Sequence, residues 1–470
     1  MENKKIVVIG AGPGGYAAAF LAADLGMDVT LIDKAANPGG VCLYRGCIPS
    51  KALLHVAKLI NEAEEAKNWG IEFSKPKIDI NKLREWKNSV VAKLTGGLGV
   101  LSKQRKINYI VGSARFSNST TIKVDKADGS SLDVKFEKVI IAAGSVITEI
   151  PALNINSKRV LNSTTALELP EIPQSLLVIG GGYIGLELGS VYNALGTKVS
   201  VVEMTPGLLP GADRDLVVFL AKNIQKKFDK VMLSSKVLEL KEQGNSISVK
   251  IQTAEGKIID QSYDYVLMSI GRKPDVRGLG LDNTKVSVNQ RGWIIVNEQM
   301  QTTDTNIYAI GDIAGEPMLA HKASHEGRVA VEAIAGHKVA FEPKAIPAVV
   351  FTDPEIAWAG LTENQAKEKN IKYEVAKFPW AASGRATTLD RSDGVTKLII
   401  DPADQRLLGM GICGPGAGEL IAEGVLAIEM GANITDLKLT IHPHPTLSET
   451  IMESAEVFFG QSTHMYKPKK

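Results

Sequence analysis

The chain is poor in cysteine, with only three among its 470 residues. So few thiols exclude the disulfide framework of a small secreted protein and fit a reducing cytoplasm. Long apolar runs are also lacking: without about 20 consecutive apolar residues, no membrane-spanning helix is predicted. The first predicted strand begins within a few residues of Met1, so we expect no targeting segment and a cytoplasmic location.

Net charge is nearly absent as well. A formal charge of +2 at pH 7 gives no reason to expect a nucleic-acid or membrane-surface partner. The basic residues at 467–470 are therefore interpreted as a solvated tail. What remains is a long chain with 44% hydrophobic residues and 44 glycines, which is enough apolar material for about three domains.

Two of the three cysteines, Cys42 and Cys47, lie five residues apart at the predicted start of one helix. In a regular helix their Cα atoms would be about 8.7 Å apart, whereas a disulfide usually needs less than about 7 Å. Closure would require a bend, for which Gly46 supplies the freedom. A helix N-terminus also lowers the pKa of a thiol. The pair is either a redox disulfide, which this sparing use of thiols favours, or two unrelated buried thiols.

A strand, a glycine turn and an amphipathic helix occur twice, once in IVVIGAGPGG from Ile6 and again in LLVIGGGYIG from Leu176. A second apolar strand follows each copy and ends in an acid, Asp33 or Glu203, 23 residues after the first glycine. This is the pattern of the βαβ unit that binds a dinucleotide pyrophosphate at a helix N-terminus. The candidate binding glycines are Gly10, Gly12, Gly14, Gly15, Gly180, Gly182 and Gly185.

The two acids indicate which nucleotides bind. Asp33 and Glu203 would accept hydrogen bonds from ribose hydroxyls, and Glu203 would repel a 2′-phosphate, which favours NAD over NADP. Two nucleotide folds and a cysteine pair indicate one electron path, with a flavin between the disulfide and a nicotinamide. Lys51, one helical turn after Cys47, could stabilise a thiolate and a reduced flavin, or be an ordinary exposed lysine.

The remaining pattern is less regular. Residues 61–101 are predicted to be helical, 110–141 to form short antiparallel strands, and 307–312 to form a buried strand ending in Asp312. After Pro347, strands such as 397–400 alternate with helices such as 419–430, without a glycine fingerprint. We therefore predict an α/β chain with two Rossmann-like dinucleotide-binding domains and a C-terminal α+β domain.

The segment IHPHPTLSE, from Ile441, is the second concentrated site. A dithiol substrate needs a base near neutral pH, which suits His444, and Glu449 could orient its ring. A structural turn or an incidental metal site are the alternatives, and His442 has no evident role. His321 and His325 have metal-pair spacing, but a helix start facing a cofactor, or simple exposure, is favoured, so no metal site is predicted.

These residues together resemble the flavoprotein disulfide reductases, class I of the pyridine nucleotide–disulfide oxidoreductases, over nearly the whole chain. GGVCLYRGCIPSK at 39–51 is similar to their redox signature, 303–312 to their second flavin motif, and MLAHKA at 318–323 to the helix start beside the flavin ring. HPTLSE at 444–449 resembles the branch that oxidises dihydrolipoamide in bacterial 2-oxoacid dehydrogenase complexes.

The resemblance implies an FAD-dependent enzyme that oxidises protein-bound dihydrolipoamide and reduces NAD. Cys42 would be the interchange thiol and Cys47 the thiol in contact with the flavin, and Lys51 would pair with Glu187 near flavin N5. His444, held by Glu449, would come from the other subunit of a homodimer. The FAD positions would also include Asp33, Lys51, Ala114, Gly144, Asp312 and Ala320. Those for NAD would include Glu187, Glu203, Val237 and Gly271.

The implied domains are an FAD-binding domain at 1–149, an NAD-binding domain at 150–276, a second FAD or central part at 277–346 and a dimerisation domain at 347–470. The implied partners are lipoyl domains of an acyltransferase core and the glycine-cleavage carrier protein. Another NAD(P)H-dependent disulfide reductase and a catalytically secondary flavoprotein subunit are the alternatives.

One departure from the family lies between the cysteines. Tyr44 and Arg45 stand where the family usually has an asparagine followed by an apolar residue. Both side chains are bulky, and we expect them to tune the flavin potential or narrow access to the disulfide. Asp33, where many relatives have glutamate, is a milder change because either carboxylate accepts ribose hydrogen bonds.

Overall fold

The two glycine-fingerprint repeats fold as two separate parallel sheets in the computed structural model, which describes residues 4–466. The predicted solvated tail at 467–470 lies outside the described residues. The first unit of the chain contains β1 (Lys5–Ile9), α1 (Pro13–Asp24), β2 (Asp28–Asp33), α2 (Gly40–Arg45), α3 (Cys47–Glu65), α4 (Ile80–Gln104), β3 (Asn108–Val111), β4 (Ser113–Asn118), β5 (Thr121–Asp125), β6 (Ser131–Lys135), β7 (Lys138–Ile141) and β8 (Ser145–Ile147).

The second unit carries the other repeat. Its elements are β9 (Val160–Asn162), α5 (Ser163–Leu167), β10 (Ser175–Ile179), α6 (Tyr183–Ala194), β11 (Lys198–Val202), α7 (Arg214–Lys227), β12 (Lys230–Met232), β13 (Lys236–Gln243), β14 (Ser246–Gln252), β15 (Ile258–Tyr263) and β16 (Tyr265–Met268). The chain then returns to the first unit with β17 (Arg272–Pro274), β18 (Ile307–Ala309) and α8 (Ala320–Ala335).

The last unit is built differently. It contains β19 (Ala348–Val350), β20 (Ile356–Gly360), α9 (Glu363–Glu368), β21 (Glu374–Pro379), α10 (Gly384–Thr388), β22 (Val395–Ile400), β23 (Leu407–Cys413), α11 (Ala417–Met430), α12 (Ile434–Leu439) and α13 (Glu449–Phe459).

The first sheet has the strand order β18-β7-β1-β2-β3, and all neighbouring strands are parallel. Because β18 pairs with β7, the chain completes this sheet only after it has built the second unit. After an initial lysine, the central strands β1 and β7 are apolar and buried, as parallel strands covered on both faces are. The carboxyl ends of β1 and β2 place the first glycine turn and Asp33 at one edge.

Two predictions about this unit need correction. Of the strands predicted over 110–141, only β4, β5 and β6 pair in an antiparallel sheet, whereas β3 and β7 are parallel members of the main sheet. The short apolar run of β7 is buried on both faces between β1 and β18, which is a parallel rather than a hairpin environment. The predicted helix over 61–101 is interrupted between the turn Ala66–Trp69 and the start of α4 at Ile80, where Asp79 caps the helix.

The second sheet repeats the arrangement in the order β12-β11-β10-β16-β9, again parallel, beside an antiparallel sheet of β13, β14 and β15. The last unit has an antiparallel sheet in the order β19-β20-β23-β22-β21. The predicted strand at 397–400 lies in β22, and the predicted helix at 419–430 lies in α11. The exact domain boundaries stay predictions. No helix between residues 4 and 466 combines the length and apolar character that crossing a bilayer requires.

Candidate active site

The redox segment is two helices and not the single helix that we predicted. Cys42 lies within α2, and Cys47 is the first residue of α3. Gly46 separates them with φ −145° and ψ −114°, and a Cβ atom there would lie 2.9 Å from the Val41 carbonyl oxygen. The break replaces the regular helical spacing that would have kept the two sulfur atoms apart. Both cysteines are thiols in this structure.

The two thiols differ strongly in acidity. A hydrogen bond from the Cys42 thiol is the main cause that lowers the pKa of Cys47 to about 7, and the Lys51 charge adds to it against the effect of burial. The same hydrogen bond, together with burial, raises the pKa of Cys42 well above its usual value. Cys47 is therefore the more acidic thiol of the pair, and Cys42 is assigned as its hydrogen-bond donor.

Lys51 is held by residues from the other two units. Its Nζ lies 2.8 Å from Glu187 Oε2 on α6 and 4.4 Å from the centre of the Phe351 ring. The other oxygen of Glu187, Oε1, accepts the Phe351 backbone N–H at 3.0 Å. Glu187 is only 3% exposed, and Lys51 and Phe351 engage both of its oxygens. These contacts belong to the redox segment and give no support to the predicted NAD role of Glu187.

A cavity of about 590 Å³ lies between the first glycine turn and the two cysteines. The FAD residues predicted from the sequence that line it are Gly10, Gly12, Gly14, Asp33, Lys51, Ala114, Gly144, Asp312 and Ala320. Gly15 lies under the turn, where a Cβ atom would come within 1.8 Å of the Gly10 carbonyl oxygen. The turn is thus bare backbone facing the cavity at the N-terminus of α1, which suits the pyrophosphate of a dinucleotide.

The acid that follows each repeat holds its own glycine turn. Asp33 Oδ2 accepts the Ala11 N–H at 2.6 Å, and Glu203 Oε2 accepts the Gly181 N–H at 2.6 Å. The second oxygen of each accepts another N–H two residues further on, at 2.8 Å for Asp33 and 2.7 Å for Glu203. Sequence reasoning missed this role. A carboxylate oxygen has two lone pairs, so each can still accept a ribose hydroxyl, as predicted.

The remaining NAD residues predicted from the sequence are only partly brought together. The second glycine turn precedes α6 and contacts Glu203 through Gly181. Val237 is a core residue of β13 and is only 6% exposed. Gly271, which follows β16, has φ +109° and open space around its Cα atom.

A hydrogen-bond network at Asp312 joins β8 to β17 within the first unit and was not predicted. Ser145 Oγ donates to Asp312 Oδ2 at 2.5 Å, and Arg272 donates to Ser145 Oγ at 2.8 Å and to its carbonyl oxygen at 2.6 Å. All three residues line the cavity. The only sequence signal is an arginine just after the second sheet, because the two partners of Ser145 are 127 and 167 residues away.

The histidine site has the predicted pairing. His444 Nδ1 lies 2.9 Å from Glu449 Oε1, and the Thr446 N–H donates to Glu449 Oε2 at 2.8 Å. Partial burial opposes ionisation of Glu449, but these two hydrogen bonds keep its pKa below the usual value. The His444 side chain is 73% exposed and is not among the described residues that line the cavity. His321 Nε2 contacts the Pro347 carbonyl oxygen at 2.9 Å, and burial lowers its pKa.

The fold and this pair of sites define a class of protein. The chain belongs to the pyridine nucleotide-disulphide oxidoreductases: the model of that family matches residues 4–327, and the model of the family's dimerisation domain matches residues 346–455.

Several similar proteins lie within that class. The dihydrolipoyl dehydrogenases of Haemophilus influenzae and Vibrio cholerae are each 49% identical to this chain over 467 residues, which is 99% of the chain and 97% and 98% of those proteins. The crystal structure of LpdA from Mycobacterium tuberculosis is similar with a TM-score of 0.89 and 26% identity, over 96% of this chain and 99% of that one.

These findings confirm the predicted family, fold class and cofactors. The chain is an oxidoreductase of a flavoprotein family that uses FAD and NAD, and its dimerisation domain indicates a homodimer. The roles of the individual site residues stay predictions.

Proposed function

We propose that this chain is a dihydrolipoyl dehydrogenase, which oxidises protein-bound dihydrolipoamide to lipoamide and reduces NAD⁺ to NADH. One observation carries the proposal: Cys42 and Cys47 line the same cavity as the first dinucleotide-binding turn, with Lys51 fixed beside them. The names of the relatives that are 49% identical over the whole chain support the choice of substrate.

The cavity fits FAD because its glycine turn is bare backbone and the thiolate-forming cysteine faces it. Asp33 would bind a ribose, Asp312 the ribityl or phosphate region, and Lys51 the neighbourhood of flavin N5. When bound, FAD supplies the two-electron link between the cysteine pair and the nicotinamide.

The chain's own residues carry the thiol exchange. One thiol of the substrate gives its proton to His444 of the partner subunit, and the resulting thiolate attacks Cys42 Sγ. The Cys42–Cys47 bond breaks, and Cys47 leaves as a thiolate that Lys51 stabilises. The second substrate thiol then attacks the sulfur bonded to Cys42, which closes the ring of lipoamide. The proton of this second thiol passes through the same histidine to Cys42, which leaves as a thiol, and the first proton stays on His444 of the partner subunit. Two electrons thereby reach the cysteine pair.

The proposal extends to partners and location. The high exposure of His444, away from the cavity of its own chain, supports a site shared across a homodimer. The expected substrates are lipoyl domains of the acyltransferase core of a 2-oxoacid dehydrogenase complex, with the glycine-cleavage carrier as a second carrier of the same group. The expected location is the cytoplasm, where reduced thiols are maintained.

Replacement of single cysteines tests the function. Cys47→Ser should abolish NADH formation from dihydrolipoamide and leave FAD bound, because the disulfide cannot form. Cys413→Ser is the matched control, since Cys413 is fully buried in β23, far from the redox segment in sequence, and should keep its turnover. Undiminished turnover by Cys47→Ser would refute the proposal.

The rival function is reduction of another disulfide, such as glutathione, with NADPH. Glu203 argues against it because its carboxylate is locked at the second glycine turn, where it would meet a 2′-phosphate. Turnover of glutathione disulfide with NADPH that exceeds turnover of lipoamide with NADH would favour the rival.

A further inference from the structure

His442 was given no function by the sequence, yet it is the buried side chain of an exposed loop. The loop joins α12 to α13 and carries His444 two residues later. The His442 side chain is 5% exposed, whereas Ile441 on one side is 94% exposed and Pro443 on the other is also exposed. The position of this stretch of chain therefore depends on what His442 contacts.

Both ring nitrogens of His442 face acceptors. Nδ1 lies 2.9 Å from the Thr440 carbonyl oxygen, and Nε2 lies 2.9 Å from Glu423 Oε1 on α11. A neutral imidazole can donate from only one nitrogen, so both bonds require the imidazolium ion opposite an ionised Glu423. The pairing is therefore a charged hydrogen bond between the loop and a long helix.

We propose that His442 is a positioning residue for His444: its charged hydrogen bond to Glu423 ties the loop to α11 and sets the place of the catalytic imidazole. The inference rests on the proposed function, because it concerns the base of that reaction. Glu449 orients the His444 ring directly, through the contact with its Nδ1 atom. Glu423 acts indirectly: it contacts His442 and so fixes the backbone that carries His444.

The charged hydrogen bond between His442 and Glu423 depends on pH, and the contacts of His442 determine whether it weakens as pH rises or falls. The charged groups that act on His442 are Glu423 on α11 and Glu449 on α13, both acidic. The Glu423 hydrogen bond is the main cause that raises the pKa of His442, against partial burial. His442 is thus fully protonated at pH values below the usual histidine pKa of about 6.5, and it loses this proton as pH rises through its own raised pKa.

Loss of that proton leaves a lone pair on one ring nitrogen, facing either the Thr440 carbonyl oxygen or the Glu423 carboxylate, so one of the two hydrogen bonds is lost whichever tautomer forms. A glutamine at position 423 behaves differently, because its amide N–H can donate to the neutral imidazole while Nδ1–H still donates to Thr440. Glu423→Gln should therefore keep the loop in place at high pH. Glu419→Gln is the matched control, since Glu419 is exposed one turn earlier on the same helix.

The test uses the FAD-loaded dimer and two reactions across a range of pH. One is NADH-dependent reduction of lipoamide, which needs His444. The other is NADH oxidation by ferricyanide, which takes electrons from the flavin and does not. We expect His442→Ala to lower lipoamide kcat about tenfold, as for a displaced catalytic group, with the ferricyanide rate unchanged. We expect the ratio of Glu423→Gln to wild-type lipoamide turnover to rise with pH, and Glu419→Gln to match wild type.

Full lipoamide turnover by His442→Ala at every pH would overturn the inference. Parallel pH profiles for Glu423→Gln and wild type would overturn it as well, even if His442→Ala proved unstable, because a merely structural contact would not change the shape of the profile. A wild-type protein that oxidises NADH with ferricyanide but not with lipoamide would overturn the proposed function itself, and this inference with it.

Discussion

The hydrogen bond between the two thiols can be tested by changing only its donor. The interaction with the Cys42 thiol is the largest cause that lowers the pKa of Cys47 to about 7, and we assign Cys42 as the hydrogen-bond donor. Cys42→Ala removes the donor. Cys42→Ser is the matched control, because a hydroxyl of similar size can still donate to the thiolate. Neither variant can form the disulfide, so Cys47 titrates alone beside oxidised FAD.

The expected difference follows from the two pKa values. A thiol with a pKa of about 7 is half ionised at pH 7, whereas the ordinary value for cysteine here is 9.0, at which roughly one thiol in a hundred is ionised. Burial raises the pKa of Cys47 and the Lys51 charge lowers it, and both influences remain in either variant. The hydrogen bond stabilises the thiolate form of Cys47. Without it, the thiolate should appear at a clearly higher pH in the alanine variant than in the serine variant.

The assay is a pH titration of the long-wavelength absorbance that a thiolate next to oxidised FAD produces. At pH 7 the serine variant should show about half of its maximal band, and the alanine variant only a few per cent of it. Lys51→Met, made in the Cys42→Ser variant, should raise the midpoint pH of the titration by less than the difference between the serine and alanine variants. Equal midpoints for the serine and alanine variants would refute the assignment of Cys42 as donor.

Three further changes test other contacts. Lys397 is fully buried, with Nζ 2.6 Å from Asp213 Oδ2 between the second and last units, so Lys397→Met should lower the free energy of unfolding by about 3 to 5 kcal/mol in denaturant titrations. Lys377→Met, a change at a half-exposed lysine, should cost less than about 1 kcal/mol. Glu203→Ala should reduce the preference for NADH over NADPH about tenfold in kcat/KM, because a like-charge contact is removed. Arg45 lines the cavity, so Arg45→Val removes a positive charge there and should make the flavin potential more negative, as dye equilibration would measure.

The nucleotide units were predictable because their signal is local. Each glycine turn, its flanking strands and its acid lie within about 30 residues, and the chemistry of pyrophosphate binding dictates residue types at fixed spacings. The pairing of His444 with Glu449 was accessible for the same reason, since the two are five residues apart. Burial on both faces also explains why the central strands are continuous apolar runs.

The contacts that the sequence did not reveal join distant segments or depend on backbone geometry. Phe351 contacts Glu187 across 164 residues, and nothing in either segment indicates the other. Glycine is needed at the break because a Cβ atom at position 46 would lie close to the Val41 carbonyl oxygen. This contact can be recognised only when the positions of both helices are known. The parallel placement of β7 likewise depends on β18, in which Ile307 pairs with Val139 from 168 residues earlier in the chain.

The unequal thiols also determine which sulfur the substrate attacks. When a disulfide is cleaved, the thiol with the lower pKa is the better leaving group. While the disulfide is intact, the hydrogen bond from Cys42 cannot act, so the difference must come from the position of Cys47 at the start of α3 and from Lys51. Lys51 in turn is held by Glu187 from the second unit, which also binds the last unit through Phe351. In the proposed exchange, the direction of attack on Cys42 therefore depends on the packing of the units, and a change at Glu187 should weaken it although the redox segment itself is unaltered.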